Sequence, residues 1–320
     1  MLPETLQPYA GQTAAVATSL LWTATALFFT AGIRRVGPTL VNAARIAFAI
    51  LLLGVTHRLL TGHWIPDANW KQAICLGASG VIGLSIGDQA LLTAFVDIGT
   101  RLAMLVMTTA PLMAATLGFV FLGERLTAIS LVGMALTIGG VAWVVLERPS
   151  GAQTGVARRK TRGVALATLA ALCQASGLLL SKQGMGHGWL PPDQHLGPQA
   201  ATLIRMSFAG LGMIPILASH GVWERRKRAA GIIPSRVGQP SAGLLFALCG
   251  AVTGPFLGVW MSLTAASLIP LGLSQTLCSL APIFLLPCAA VLYKERVTLR
   301  AAVGAVIAVG GSALLFVRAG

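Results

Sequence analysis

Residues 110–133 read APLMAATLGFVFLGERLTAISLVG, and residues 281–304 read APIFLLPCAAVLYKERVTLRAAVG. Laid one on the other without a gap, they place Ala110-Pro111 on Ala281-Pro282, Glu124-Arg125 on Glu295-Arg296 and Gly133 on Gly304, a constant separation of 171 positions. The same separation puts Leu92-Thr93-Ala94 on Leu263-Thr264-Ala265. Nearer the N-terminus the register slips: the stretch from Asn42 through Arg45 to Ala49 reads against Thr202 through Arg205 to Ala209 at a separation of 160. One such match arises easily by chance. An ungapped register through two apolar segments and a charged dipeptide marks an internal duplication.

The duplicated unit is apolar. Of 320 residues, 55% are hydrophobic and 10% charged, with a mean hydropathy of +0.79; soluble domains carry about 25% charged residues. Disorder is excluded too, because it needs low hydrophobicity and many charges. A helix of about 20 apolar residues crosses a bilayer. Ten runs qualify: 13–33, 38–60, 71–95, 98–121, 128–146, 163–184, 200–219, 242–264, 267–292 and 299–317. The division between the third and fourth, near Asp97, is the least marked. Five spans per repeat is an odd number, so the second copy enters the membrane from the opposite side. The expected fold is therefore all-α integral membrane, ten transmembrane helices as two inverted five-helix repeats, residues 1–147 and 163–320, joined by a basic connector at 148–162. Such folds hold substrate near the midplane between the halves.

Loops and tails fit this reading. The net charge is +14, with the bases in short loops, which indicates the positive-inside rule rather than nucleic-acid binding. Trp64, Trp70, Trp143, Trp189 and Trp223 fall near span ends, as an interfacial belt would place them. The first twelve residues contain no Lys or Arg and do not form the leading region of a signal peptide, so the first span is expected to stay in the mature protein. The five cysteines lie in apolar runs without a CxxC pair and read as packing residues. No soluble catalytic domain has room outside the spans.

The segments Pro111 … Leu122-Gly-Glu124-Arg125-Leu … Gly133 and Pro282 … Tyr293-Lys-Glu295-Arg296-Val … Gly304 resemble the end of an EamA module of the drug/metabolite transporter superfamily. The resemblance covers both halves. It implies a ten-helix transporter of small metabolites, amino acids or drugs, often directed outward. It carries no universal catalytic or ion-binding signature and does not fix a substrate.

Several chemistries lack their motifs. There is no GxxxxGK[ST] phosphate loop for ATP drive, no HExxH, and no close His/Cys cluster suited to zinc. His187, Asp193 and His195 share a loop that reads as solvated and polar rather than metal-binding. No cofactor is expected.

Ionisable side chains inside spans are costly and therefore candidates for function. Asp88, in Gly87-Asp88-Gln89, interrupts the third span and is read either as a carrier of a coupling proton, or as close enough to the span end to reach water, or as a structural partner of an arginine. Its counterparts at 171 are Val259 and, for Gln89, Trp260, so the halves differ here. Arg45 and Arg205 lie about two turns into their helices; they either snorkel, acting as structural or gating residues, or bind an anionic group. Lys182 is expected to snorkel. Gln174, Gln275 and Ser279 lie within the sixth and ninth spans, the last two on one helical face. Trp22 and Trp260 sit mid-span and are read either as cavity walls or as core packing. Together Trp22, Asp88, Gln89, Gln174, Trp260, Gln275 and Ser279 form the candidate substrate site. Pro111 and Pro282 are expected to kink the fourth and ninth helices beside it. Glu124 and Glu295 are expected to favour the N-termini of the fifth and tenth helices. The matched pairs Gly139-Gly140 and Gly310-Gly311 are read as close helix contacts.

The resulting expectation is a secondary-active exporter of small organic solutes that works by alternating access in the cell (inner) membrane, and not an enzyme. Its partners are the lipid bilayer, a small-molecule substrate and protons as coupling ion; the sequence leaves a homodimer open and offers no nucleic-acid surface. The alternatives are a lipid-carrier flippase and an intramembrane enzyme, the latter disfavoured because no in-span histidine or close acid pair is read.

Orientation is a separate expectation. The loops after spans 1, 3, 5, 7 and 9 hold 16 Lys and Arg residues, against 5 in the other loops and tails, with Arg45 and Arg205 completing the total of 23. The positive-inside rule then puts both termini outside, whereas the resemblance implies both inside. A C-terminal fusion to a reporter that fluoresces only in the cytoplasm is expected to stay dark; a bright fusion shows the charge reading to be wrong.

Overall fold

The computed structural model describes residues 4–146, 160–188, 195–229, 239–293 and 298–316. Among them every regular element is a helix. Nine helices are long and apolar enough to cross a membrane: span 1, Gln7–Val36; span 2, Pro38–Thr61; span 3, Trp70–Gly99; span 4, Leu102–Leu122; span 5, Ala128–Leu146; span 6, Lys160–Gly184; span 7, Pro198–Val222; span 8, Pro240–Leu268; and span 9, Leu271–Cys288. A shorter apolar helix, Leu299–Leu314, is span 10. Glu295 and most of the basic connector lie outside the described residues.

Two boundaries differ from the sequence expectation, each for a backbone reason. Spans 3 and 4 divide at Gly99, whose φ of 79° and ψ of 157° leave the helical region; only glycine adopts such a conformation freely. Spans 8 and 9 divide at Ile269, which is extended (φ −132°, ψ 163°) because it precedes Pro270 and the proline ring disfavours the α conformation there.

Spans 4 and 9 are each interrupted again near their middle. Helix stops before Thr108-Thr109 and restarts at Ala110; it stops before Ser279-Leu280 and restarts at Ala281. The interruptions coincide at the 171-residue separation. Pro111 and Pro282 therefore do not kink continuous helices, as the sequence suggested. Each is the second residue of a new helix, where its missing N–H removes no helical hydrogen bond. A second matched irregularity lies in spans 3 and 8, which carry π-helical stretches at Gly80–Gly87 and Val252–Gly258. Gly83 and Gly87 fall on Gly254 and Gly258 in the repeat register.

The halves interlock. Span 1 packs against spans 8 and 9, span 6 against spans 3 and 4, span 2 against span 7, and span 5 against span 10. The inverted repeat exchanges the first two of these sets and maps each of the last two onto itself. Spans 5 and 10 meet through glycine. A Cβ added at Gly140 would lie 2.5 Å from the Ala308 backbone nitrogen, and one at Gly311 2.5 Å from that of Thr137. Gly139 and Gly310 do not share this role, since a Cβ at either meets open space. Trp64, Trp70 and Trp143 are exposed; the Trp189 and Trp223 side chains lie outside the described residues. Cys249 is exposed rather than packed inside.

Gly140→Leu and Gly311→Leu are expected to force spans 5 and 10 apart, with a loss of about 1–3 kcal/mol as for overpacked cores, read as a lower melting temperature in detergent. Gly139→Ala and Gly310→Ala should stay within about 0.5 kcal/mol of the parent. Equal losses at all four positions would contradict the packing.

Candidate functional site

Span 2 begins at Gly37-Pro38 and carries Asn42 and Arg45 one turn apart, both buried. The Arg45 guanidinium pairs with the Asp88 carboxylate, which follows the π-helical stretch of span 3 directly. Arg45 Nε also donates to Asn42 Oδ1 at 2.9 Å. Asn42 Nδ2 donates to Gln89 Oε1 at 3.4 Å, and Gln89 Nε2 donates to Thr39 Oγ1 at 2.9 Å. A ring of polar groups thus closes between spans 2 and 3, with the Phe29 ring of span 1 over the Arg45 guanidinium at 5.3 Å. The Asp88 side chain keeps 20% of its surface exposed, against 8% for Arg45.

Arg205 of span 7 approaches the same place from the second half. It is 3% exposed, so neither it nor Arg45 snorkels. Its guanidinium rests between two glycines: a Cβ at Gly83 would lie 2.7 Å from Nη2, and one at Gly177 3.2 Å away. Gly80 packs on its backbone carbonyl. Asp88 is the acid in electrostatic reach of it and also faces the Cys173 thiol. Arg205 Nε has no hydrogen-bond partner, and none of the described ion pairs includes it.

The other candidates group elsewhere. Span 1 runs along the π-helical stretch of span 8, where Trp22 Nε1 would lie 2.8 Å from a Cβ at Gly258 and Thr25 Oγ1 meets Thr253 Oγ1 at 2.8 Å. Trp260 is half-buried beside Phe256, with ring centroids 6.3 Å apart. Gln275 is buried with an unpartnered Oε1, and both side-chain polar atoms of Gln12 are likewise unpartnered. Ser279 donates to Thr276 O within its own segment. Gln174 is half-buried next to Cys173. Asp88, Gln89 and Arg45 therefore form one cluster with Arg205 beside it, while Trp22 and Trp260 both line the span 8 π-helix.

A second, part-buried ion pair spans the halves. Lys182 Nζ meets Glu124 Oε1 at 2.7 Å and donates to Ile269 O at 2.8 Å, while Glu124 Oε2 accepts from Leu271 N at 2.8 Å. Lys182 thus turns inward instead of snorkelling. Glu124 does serve a helix N-terminus, but that of span 9 in the other repeat rather than of span 5. A third pair, Arg162 with Asp97 at 3.3 Å, lies at the opposite end.

A histidine does occur within a span. His57, one turn before the end of span 2, is buried, and its Nδ1 lies 2.8 Å from Gln199 Oε1 of span 7. Gln199 in turn donates to Leu53 O, so the imidazole belongs to a helix–helix contact. In the loop after span 6, His187 and His195 stack with centroids 4.7 Å apart; Asp193 lies outside the described residues. Burial, followed by the neighbouring His195 and Lys182, lowers the pKa of His187 from its usual value. No group of three potential metal ligands occurs among the described residues.

A helical membrane protein of two interlocked inverted repeats, with a buried charge cluster where they meet, is the class this arrangement defines. Residues 10–146 and 161–317 each match the EamA-like transporter family, and the chain belongs to that family. No curated protein matches it. Among solved structures, one described only as the crystal structure of a protein covers 96% of this chain and 96% of its own at a TM-score of 0.70 and 17% identity, a likeness of fold.

Removing one partner of a buried ion pair typically costs about 3–5 kcal/mol. Glu124→Ala is expected to lower the stability of the detergent-solubilised protein by this order, and Glu124→Gln, which still accepts from Leu271 N, by less. Thermal unfolding in which Glu124→Ala matches the parent would show that the clasp contributes nothing.

Proposed function

We propose that this protein is a secondary-active transporter that carries small organic solutes out of the cell across the inner membrane by alternating access, with Asp88 carrying the coupling proton. One observation carries the alternating-access part. Equivalent half-helices of the two repeats are unequally buried. All eight residues of Leu271–Cys278 in span 9 are buried. Of the equivalent stretch before Thr108, residues 102–107, only Ala103 is buried. Two elements of like sequence position in opposed environments are what one state of an inverted-repeat carrier requires. The sealed end is the one that holds the Glu124–Lys182 clasp and the chain start; the looser end holds the basic loops.

The Arg45–Asp88 pair supports the coupling. A contact ion pair at an effective dielectric of about 20 is worth about 4 kcal/mol. Neutralising Asp88 removes that attraction and frees Arg45, so protonation and rearrangement of spans 2 and 3 are linked. Among the described residues, Arg45 pairs with Asp88, and Arg205 and Cys173 lie within its electrostatic reach.

In proteoliposomes, Asp88→Asn is expected to reduce proton-gradient-driven accumulation to background while substrate exchange at equal concentrations continues. Gradient-driven accumulation at the parent's rate would remove Asp88 from the coupling step.

A further inference from the structure

We infer that Arg205 is the anchor for a small organic monoanion, so that the transported solutes are monocarboxylates; this rests on the transporter reading above. The charge arithmetic of the cluster is the starting point. Asp88 is already engaged by Arg45, and the repeat equivalent of Asp88 in the second half is Val259. Among the described residues Arg205 therefore has no carboxylate from its own half and none free from the other. Two cations and one anion leave one positive charge, on a side chain 3% exposed with an unpartnered Nε.

An unpaired guanidinium inside a membrane protein is expensive, and such groups are paired or functional. The surroundings show that Arg205 is accommodated rather than squeezed out. Gly80, Gly83 and Gly177 come from spans 3 and 6, and a methyl group at Gly83 or Gly177 would crowd the guanidinium or displace it. Two glycines make room for the guanidinium, and Gly80 makes room for the backbone that carries it. The planar fork of a guanidinium matches the two oxygens of a carboxylate. One net positive charge compensates one negative charge, so a monoanion neutralises the site, whereas a dicarboxylate or phosphate monoester leaves excess negative charge beside Asp88. A free amine finds no anion to meet while Arg45 holds Asp88.

The test uses the full-length protein, purified in detergent in a chloride-free zwitterionic buffer, with butyrate and benzoate as probes and butyramide, benzylamine, succinate and chloride as comparators. Butyrate and benzoate at millimolar concentration are expected to raise the melting temperature by a few degrees through ligand linkage, and the comparators to leave it unchanged. Arg205→Met is expected to abolish that rise and, without ligand, to melt at or above the parent temperature, because it removes an unpaired buried charge. A merely structural arginine would show the reverse, a lower melting temperature on replacement. If Arg205→Met does not fold, Arg205→Lys, which keeps the charge and loses the fork, should weaken the apparent affinity for benzoate about tenfold or more. Stabilisation by butyramide or chloride equal to that by the carboxylates overturns the proposal, as does an unchanged benzoate response in Arg205→Met. Proteoliposome flux separates the two readings. Benzoate binding that needs Arg205 but produces no flux removes the transporter reading and leaves the site. Flux of neutral or cationic solutes with no carboxylate binding removes the site and leaves the transporter.

Discussion

A peptide group freed from its helix inside a bilayer finds no water to bond with, so every irregular stretch of backbone must be satisfied by protein or by a hydrated cavity. The described residues hold four such stretches: two broken spans and two π-helical segments. Some of their partners are local, as where Thr108 and Thr109 donate to Leu105 O and Val106 O and Ser279 to Thr276 O, and others come from the opposite repeat. Thr23 of span 1 donates to Ala281 O, just past the break in span 9. Glu124 and Lys182 meet Leu271 N and Ile269 O at the start of that span. Thr25 meets Thr253 in the span 8 π-helix. Ser79, leading into the span 3 π-helix, donates to Gly177 O of span 6. These cross-repeat bonds tie span 1 into the second half's groove and span 6 into the first's.

The same constraint explains how glycine is distributed. Where helices cross between halves, the backbones themselves come together, as Gly140 does with Gly304 and Ala308 and Gly311 with Gly133 and Thr137. Lipid tails are as apolar as leucine, so burying a large side chain between spans brings little hydrophobic gain, and close backbone approach takes its place. A glycine one position off that line, such as Gly139, gains no contact from being small.

Much of the architecture was legible because it rests on run length and repetition. Twenty apolar residues make a span in any context, and an ungapped separation of 171 positions survives ignorance of every contact. What escaped depends on direction. Lys182 was expected at the interface because its distance from the span end permits snorkelling; a carboxylate on the facing half turns it inward. Pro111 and Pro282 were read as kinks because an apolar run does not show where helical hydrogen bonding restarts. The π-helices had a trace in the matched Gly83/Gly87 and Gly254/Gly258 pairs, which spacing alone does not distinguish from packing glycines. Of the site, Arg45, Asp88 and Arg205 stood out as charges in apolar runs, while Asn42, quoted only as part of the repeat, proved to be the hinge of the hydrogen-bonded ring.

Symmetry and asymmetry divide the work in this molecule. The broken spans, the π-helices and the paired arginines recur in both halves. The likeness is not complete. Two adjacent register positions differ in charge and polarity: Asp88 stands where the second half has Val259, and Gln89 where it has Trp260. That single substitution of an acid by an apolar residue turns two equivalent arginines into different ones. Arg45 is neutralised within its own repeat. Arg205, deprived of the same partner, remains a cation in a cleft of glycines.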